Sequence, residues 1–209
     1  SLPFSPGGEA SGIISEIGEG VDGFIVGDRV IVSAGWGCFV EKILVDPSAL
    51  TSIPDSMDFD TAASFLMTYG TSNHALKDRA DLKKGDSLLV LGAAGGVGLA
   101  AVEIGNAIGA HVIAAASTEE KVQICRDHGA KDGLVYKTGS LDRDEQKSLS
   151  NQIKDLTAGL GANVIYDPVG GDYAEPSLRA IAWEGRYLVV GFAAGYIPKI
   201  PLNLALLKG

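Results

Sequence analysis

Residues 88–100 read LLVLGAAGGVGLA. Four branched apolar residues make a run of the length of a buried strand, and a glycine-rich turn and good helix formers follow directly. Against the template G-x-G-x-x-G, residues 93–98 supply Ala93, Ala94, Gly95, Gly96, Val97 and Gly98, so alanine stands at the first glycine and the last two are in register. Alone such a match is weak. Its context strengthens it, because a strand precedes the turn, a helix follows, and a second apolar run, His111–Ala115, completes one βαβ unit.

In that unit each residue has a physical task. Gly95 lets the backbone approach a pyrophosphate, the N–H groups of Gly96 and Val97 point at it from the helix start, and Gly98 lets the helix pack against the strand. Ala94, Gly95, Gly96 and Val97 are therefore candidate cofactor contacts. The competing reading is a tight strand-to-helix turn in some other α/β protein.

Working outward, apolar runs alternate with helical patterns from Asp81 onward. Strands are expected at Ser87–Leu91, His111–Ala115, Leu134–Tyr136, Asn163–Asp167 and Arg186–Val190. Val97, Ala101, Ile104 and Ile108 share one helical face; Val122 and Cys125 share another that ends at Gly129; Leu149, Ile153 and Leu156 share a third. Five strands alternating with helices predict α/β architecture, a parallel sheet covered on both faces. Residues 1–57 differ, with short β-branched runs such as RVIVS bounded by glycine, and predict a small β-rich region. Asp58 starts a helical stretch, Gly70 is expected to break it before a second helix, and a domain boundary is placed at Met67.

The end of the second strand selects the nucleotide. An NAD site needs an acidic residue there for the ribose 2′-OH. Here the strand runs into AAAS, and Glu119 and Glu120 read as first-turn helix residues. Ser117 at the tip and Lys121 one turn on suit a 2′-phosphate, which a carboxylate would repel. NADP(H) is favoured over NAD(H). Ser117 also reads as a helix cap, since Ser117-x-x-Glu120 has capping-box spacing, and Lys121 also reads as an ordinary solvated lysine.

Composition narrows the function. A net charge of −9 disfavours nucleic acid or anionic lipid as the main partner. No apolar run reaches the roughly 18 residues of a membrane span, and SLPFSPGG lacks the pattern of a signal peptide, so a soluble cytoplasmic protein is expected. Cys38 and Cys125 are read as reduced, largely buried thiols.

The segments PFSPGGEASGII, GVDGFIVGDRV, YGTSNHAL, LVLGAAGGVGLAAVEI, AAASTEEK, DPVGGD and GRYLVVGFAAG stand in this order. Together they resemble the medium-chain dehydrogenase/reductase superfamily, in particular its zinc-free quinone oxidoreductase, or zeta-crystallin-like, branch. The resemblance implies a partial GroES-like β domain over residues 1–67. It also implies a doubly wound Rossmann domain over 68–209, of strand order 3-2-1-4-5-6, with NADPH in the cleft. The sixth strand would come just after Gly209, so residues are expected to be missing at both ends of a chain that starts at Ser1 and ends in LNLALLKG.

Two departures from the zinc-dependent relatives bear on mechanism. Gly7-Gly8-Glu9 stands where those enzymes carry Gly-His-Glu, and SAGWGCFVEK runs on where they carry a four-cysteine lobe. No metal is expected, and His74, His111 and His128 are isolated in sequence. An acceptor that is already activated fits such a site, and the cofactor supplies the hydride.

Residue by residue, the resemblance puts Thr71 near the carboxamide and Tyr136 at the adenosine phosphate end. It puts Val169 and Gly170 near the nicotinamide ribose, and Gly191, Phe192 and Ala193 beside the nicotinamide. Core packing is the alternative for Phe192 and Val169. Tyr69 reads as a substrate-facing or a core tyrosine, and Asp167 as a residue that orders its own loop rather than as a base.

The expected activity is NADPH-dependent reduction of a quinone. Reduction of enones or enoyl thioesters shares every motif, and a non-catalytic NADPH-binding, crystallin-like protein is a third reading. The catalytic residues stay open, and the resemblance implies a homodimer.

Overall fold

A computed structural model describes residues 2–209. The chain divides into two compact units, the first ending at Gly70 and the second beginning at Thr71. The boundary expected at Met67 lies inside a π-helical turn, Leu66–Gly70.

The first unit is built on an antiparallel sheet of order β1-β2-β3, with β1 Glu9–Ile13, β2 Arg29–Ser33 and β3 Leu50–Ser52. Alternation along β2 turns Ile31 to one side, where it packs with Ile53 and Ala62, and Val30 and Val32 to the other. Helix α1, Phe59–Ala62, starts where the sequence predicts, because the Asp58 carboxylate accepts from the Thr61 N–H at 2.7 Å. The Arg29 guanidinium fixes the segment before it, donating to the carbonyls of Pro54, Asp55 and Met57 and lying 4.5 Å from the centroid of the Phe59 ring.

The second unit opens with α2, Thr71–Asn73, and a π-helical turn, His74–Arg79. Gly70 is thus the last residue of one helical turn and Thr71 the first of the next, so the expected break does not leave helical conformation.

Five strands follow: β4 Ser87–Leu91, β5 His111–Ala116, β6 Asp132–Val135, β7 Ala162–Asp167 and β8 Ile181–Val189. They form one parallel sheet of order β6-β5-β4-β7-β8. This is the doubly wound Rossmann arrangement, and the order reverses beside β4.

The helices between them are α3 Gly96–Ile108, α4 Glu119–Asp127, α5 Arg143–Leu156 and α6 Ala174–Arg179, with α7 Asn203–Leu206 near the end. Leu88 and Val90 pack with Ala101, Val102 and Cys125, while Leu89 and Leu91 pack with Leu149, Ile153 and Ile181. Each fully buried leucine of β4 contributes about 1.5–3 kcal/mol. Among the described residues no helix is long and apolar enough to cross a membrane.

Three differences from the sequence reading have physical causes. The expected face of α3 does pack on the core, through Ala101 and the partly buried Val97, Ile104 and Ile108, but the residues it buries most deeply are mostly small, Gly98, Ala100, Ala101, Val102 and Gly105. The helix lies too close to the sheet for larger residues there, since a Cβ on Gly105 would come 2.6 Å from Leu88 Cδ2. Strand β8 starts five positions earlier than Arg186, at Ile181, because an irregularity at Glu184 (φ 56°) and Gly185 interrupts its register without ending it. Strand β6 starts at Asp132, and Gly133 is required there, since Val122 packs into the space of its missing Cβ.

Candidate functional site

The turn after β4 brings three backbones together. Gly92 is left-handed (φ 58°), and a Cβ on it would lie 2.9 Å from Val169 Cγ2. Gly95 caps α3 in extended conformation, and the Leu99 N–H donates to its carbonyl at 2.7 Å. A Cβ on Gly98 would lie 2.4 Å from the Gly92 carbonyl oxygen and 2.9 Å from Ala93 Cα.

The left-handed first position is therefore Gly92 rather than residue 93. Ala93 is fully buried, donating its N–H to the Ala115 carbonyl at 3.0 Å. The three glycines are spaced i, i+3, i+6, a signal the G-x-G-x-x-G template passes over. Gly95 and Gly96 are exposed, and the first N–H groups of α3 have no partner within the helix. A helix start of this kind fits an anionic group.

Thr71 is the first residue of the second unit, and its neighbour Ser72 holds the first turn of α3 from behind. The buried Ser72 hydroxyl donates to the Val97 carbonyl at 2.8 Å and shares a 2.8 Å bond with the Tyr166 hydroxyl. Ser72→Ala leaves the phenol of Tyr166 buried without this partner and is expected to cost about 1–3 kcal/mol. Tyr166→Phe leaves Ser72 bonded to Val97 and costs less, about 1 kcal/mol; urea midpoints of the two variants check the order.

At the carboxyl end of β5, the Lys121 ammonium donates to the Ser117 hydroxyl at 3.0 Å. The cap of α4 is Thr118, whose hydroxyl accepts from the Lys121 N–H, so the capping expected of Ser117 falls to its neighbour. Ser117 keeps its side chain beside Lys121 instead. Glu119 is engaged elsewhere, accepting from Arg126 at 2.7 Å.

Tyr136 follows β6, donating its N–H to the Ala116 carbonyl at 3.0 Å, and its half-buried ring lies 4.8 Å from that of Tyr173. Burial, with Tyr173 nearby, pushes its phenol up to about 12, against a partial offset from a hydrogen bond with the Gly92 backbone. The unfolded phenol ionises near 10, so stability falls as pH rises from about 10 through 12. Tyr136→Phe is expected to recover about 1 kcal/mol of that loss near pH 11, read from urea midpoints at about pH 9 and about pH 11.

The loops after β7 and β8 are laced together. Ala193 and Ala194 donate their N–H groups to the carbonyls of Pro168 and Val169, at 3.1 and 2.9 Å. A Cβ on Gly191 would approach the Pro168 carbonyl oxygen to 3.1 Å, and one on left-handed Gly170 would come within 2.9 Å of Phe192 Cδ1. Val169, Gly170, Gly191, Phe192 and Ala193 thus form one cluster, and Val169 joins it to Gly92. Phe192 is 40% exposed, which sets it apart from a core side chain. Asp167 binds the Val169 and Gly170 N–H groups, each at 2.8 Å, and in this way orders its own loop.

The remaining candidates lie apart. His74, His111 and His128 each pair with a carboxylate, of Asp78, Asp132 and Glu103 respectively. Among the described residues no three His, Cys, Asp or Glu side chains are placed to hold a metal ion. Cys38 and Cys125 are free and buried.

A parallel sheet whose order reverses at a glycine turn, with an exposed helix start after one strand and a lysine–serine pair after the next, defines the class: a Rossmann-type protein with a turn of the dinucleotide-binding kind. Residues 96–209 match the family described as zinc-binding dehydrogenase, and residues 1–55 the alcohol dehydrogenase GroES-like domain. The chain belongs to this zinc-binding dehydrogenase family, within the medium-chain dehydrogenase/reductase superfamily.

It is 40% identical over 208 residues to quinone oxidoreductase-like protein 2 of Rattus norvegicus, covering 99% of this chain and 57% of that protein. Its fold is similar to that of Escherichia coli quinone oxidoreductase complexed with NADPH, with a TM-score of 0.85 and 29% identity over 100% of this chain and 62% of that one. It is also similar to the JamJ enoyl reductase, with a TM-score of 0.81 and 28% identity over 99% and 59%. The chain spans about six tenths of the length of these relatives.

Proposed function

We propose that this protein is an NADPH-dependent, zinc-independent reductase that passes two electrons, as a hydride, from NADPH to a quinone. The observation that carries the reading is the Ser117–Lys121 pair at the tip of β5, beyond a glycine turn whose helix start leaves amides exposed. The likeness to a quinone oxidoreductase complexed with NADPH supports it.

The N–H groups of Gly96 and Val97 hold the pyrophosphate, with Ala94 and Gly95 as the backbone it passes. Lys121 and Ser117 hold the 2′-phosphate, and Tyr136 closes the adenosine end. Thr71, Val169, Gly170, Gly191, Phe192 and Ala193 shape the nicotinamide half. When bound, the reduced nicotinamide supplies the hydride; the protein contributes orientation and exclusion of water. The first unit forms the substrate-side β domain, and the whole protein acts in the cytoplasm as a homodimer, with a small molecule as its partner and neither nucleic acid nor membrane.

The likeness to an enoyl reductase favours a second reading, in which the acceptor is an enone or enoyl thioester. Loss of NADPH absorbance with a quinone, a short enone and an enoyl-CoA separates the two. Fastest turnover of the quinone is expected. Turnover of the enone or thioester without the quinone establishes the second reading, and NADPH binding with no turnover of any acceptor makes the protein a non-catalytic NADPH binder.

A further inference from the structure

We propose that Tyr187 is a positioning residue for the nicotinamide half of this site, acting through Asp167 to hold the Pro168–Gly171 loop against the loop after β8. The proposal rests on the NADPH reading above.

Asp167 ends β7 and is 2% exposed, so its carboxylate must find partners inside the protein. One oxygen accepts from the N–H groups of Val169 and Gly170, and the other from the Tyr187 hydroxyl at 2.6 Å. Its backbone carbonyl accepts from Val190 and Gly191, at 2.9 and 3.2 Å. One residue thus ties both loops and the flank of β8.

Tyr187 reaches this carboxylate from within β8, where it pairs with Ile165 of the neighbouring strand. Burial, and then the Asp167 carboxylate, hold its phenol protonated, so it is a fixed donor. Without the hydroxyl, the second carboxylate oxygen is left buried without this partner, and the carboxylate loses one of the two anchors that fix its first oxygen on the Val169 and Gly170 amides. The contacts downstream leave little slack, because Gly170 lies against Phe192 and Val169 against Gly92. The phenyl ring of Tyr187→Phe keeps the packing of β8, so the damage concentrates where the nicotinamide half would sit.

Calorimetric titration with NADPH and with 2′,5′-ADP, which carries the adenosine and 2′-phosphate but no nicotinamide, tests this. Tyr187→Phe is expected to bind NADPH about tenfold more weakly while its affinity for 2′,5′-ADP stays within about twofold. Asp167→Asn, whose amide oxygen still accepts from the loop N–H groups and whose amide N–H donates to the phenol oxygen, keeps both contacts and is expected to bind both ligands within about threefold of the unaltered protein. If Tyr187→Phe binds NADPH as the unaltered protein does, or loses both ligands equally, the positioning role is overturned. If the unaltered protein binds neither ligand, it is the NADPH reading that fails.

Discussion

Gly98→Ala is expected to destabilise the protein by about 3 kcal/mol or more and to abolish NADPH binding in the fraction that remains folded. A Cβ at this position would stand 2.4 Å from the Gly92 carbonyl oxygen and 2.9 and 3.0 Å from Ala93 Cα and C. All three are backbone atoms of the same turn, and no rotamer change relieves them. The turn must open or α3 must slide outward, and either movement carries the amides of Gly96 and Val97 away from a common point. The helix also lies against Leu88 at Gly105, so a slide disturbs the core as well. Gly12→Ala is a control, because its Cβ would meet nothing within 4 Å; a change within about 0.5 kcal/mol is expected there. Urea midpoints and an NADPH titration of both variants measure the contrast.

Lys121→Glu is expected to weaken NADPH binding about a hundredfold and to leave NADH within about threefold. The substitution removes a charge-assisted donor and places a carboxylate beside Ser117, where a 2′-phosphate would be repelled. Lys121 is exposed, and the cap of α4 is made by its backbone N–H with Thr118, so helix and stability survive the change. Ser117→Ala removes a neutral partner and is expected to reduce NADPH affinity about fivefold. Paired titrations with NADPH and NADH read both effects. Equal losses for the two nucleotides place the 2′-phosphate elsewhere.

The parallel sheet was legible because its strands are continuous apolar runs, and the side chains of β4 alternate between two buried faces. What escaped were features set by close approach and by distance along the chain. The register of α3 against the sheet depends on Gly98 and Gly105, which an apolar-periodicity reading scores as blanks. Gly92 falls outside the template, which sets its first two glycines two residues apart, whereas this turn spaces them by three. Ser117 and Thr118 both offer a hydroxyl at the helix start, and only backbone geometry decides that Thr118 caps it. The bond between Ser72 and Tyr166 joins residues 94 positions apart, and that between Tyr187 and Asp167 joins two strands, so neither leaves a local pattern. The loop-ordering role of Asp167 was readable because its partners lie two and three residues ahead.

The central claim is that the glycine turn and the Ser117–Lys121 pair together make an NADPH site. Titration of the protein with NADPH and NADH under the same conditions tests it most directly. Saturable binding of both is expected, with NADPH at least about tenfold tighter. NADH binding as tightly as NADPH, or no binding of either, would contradict it.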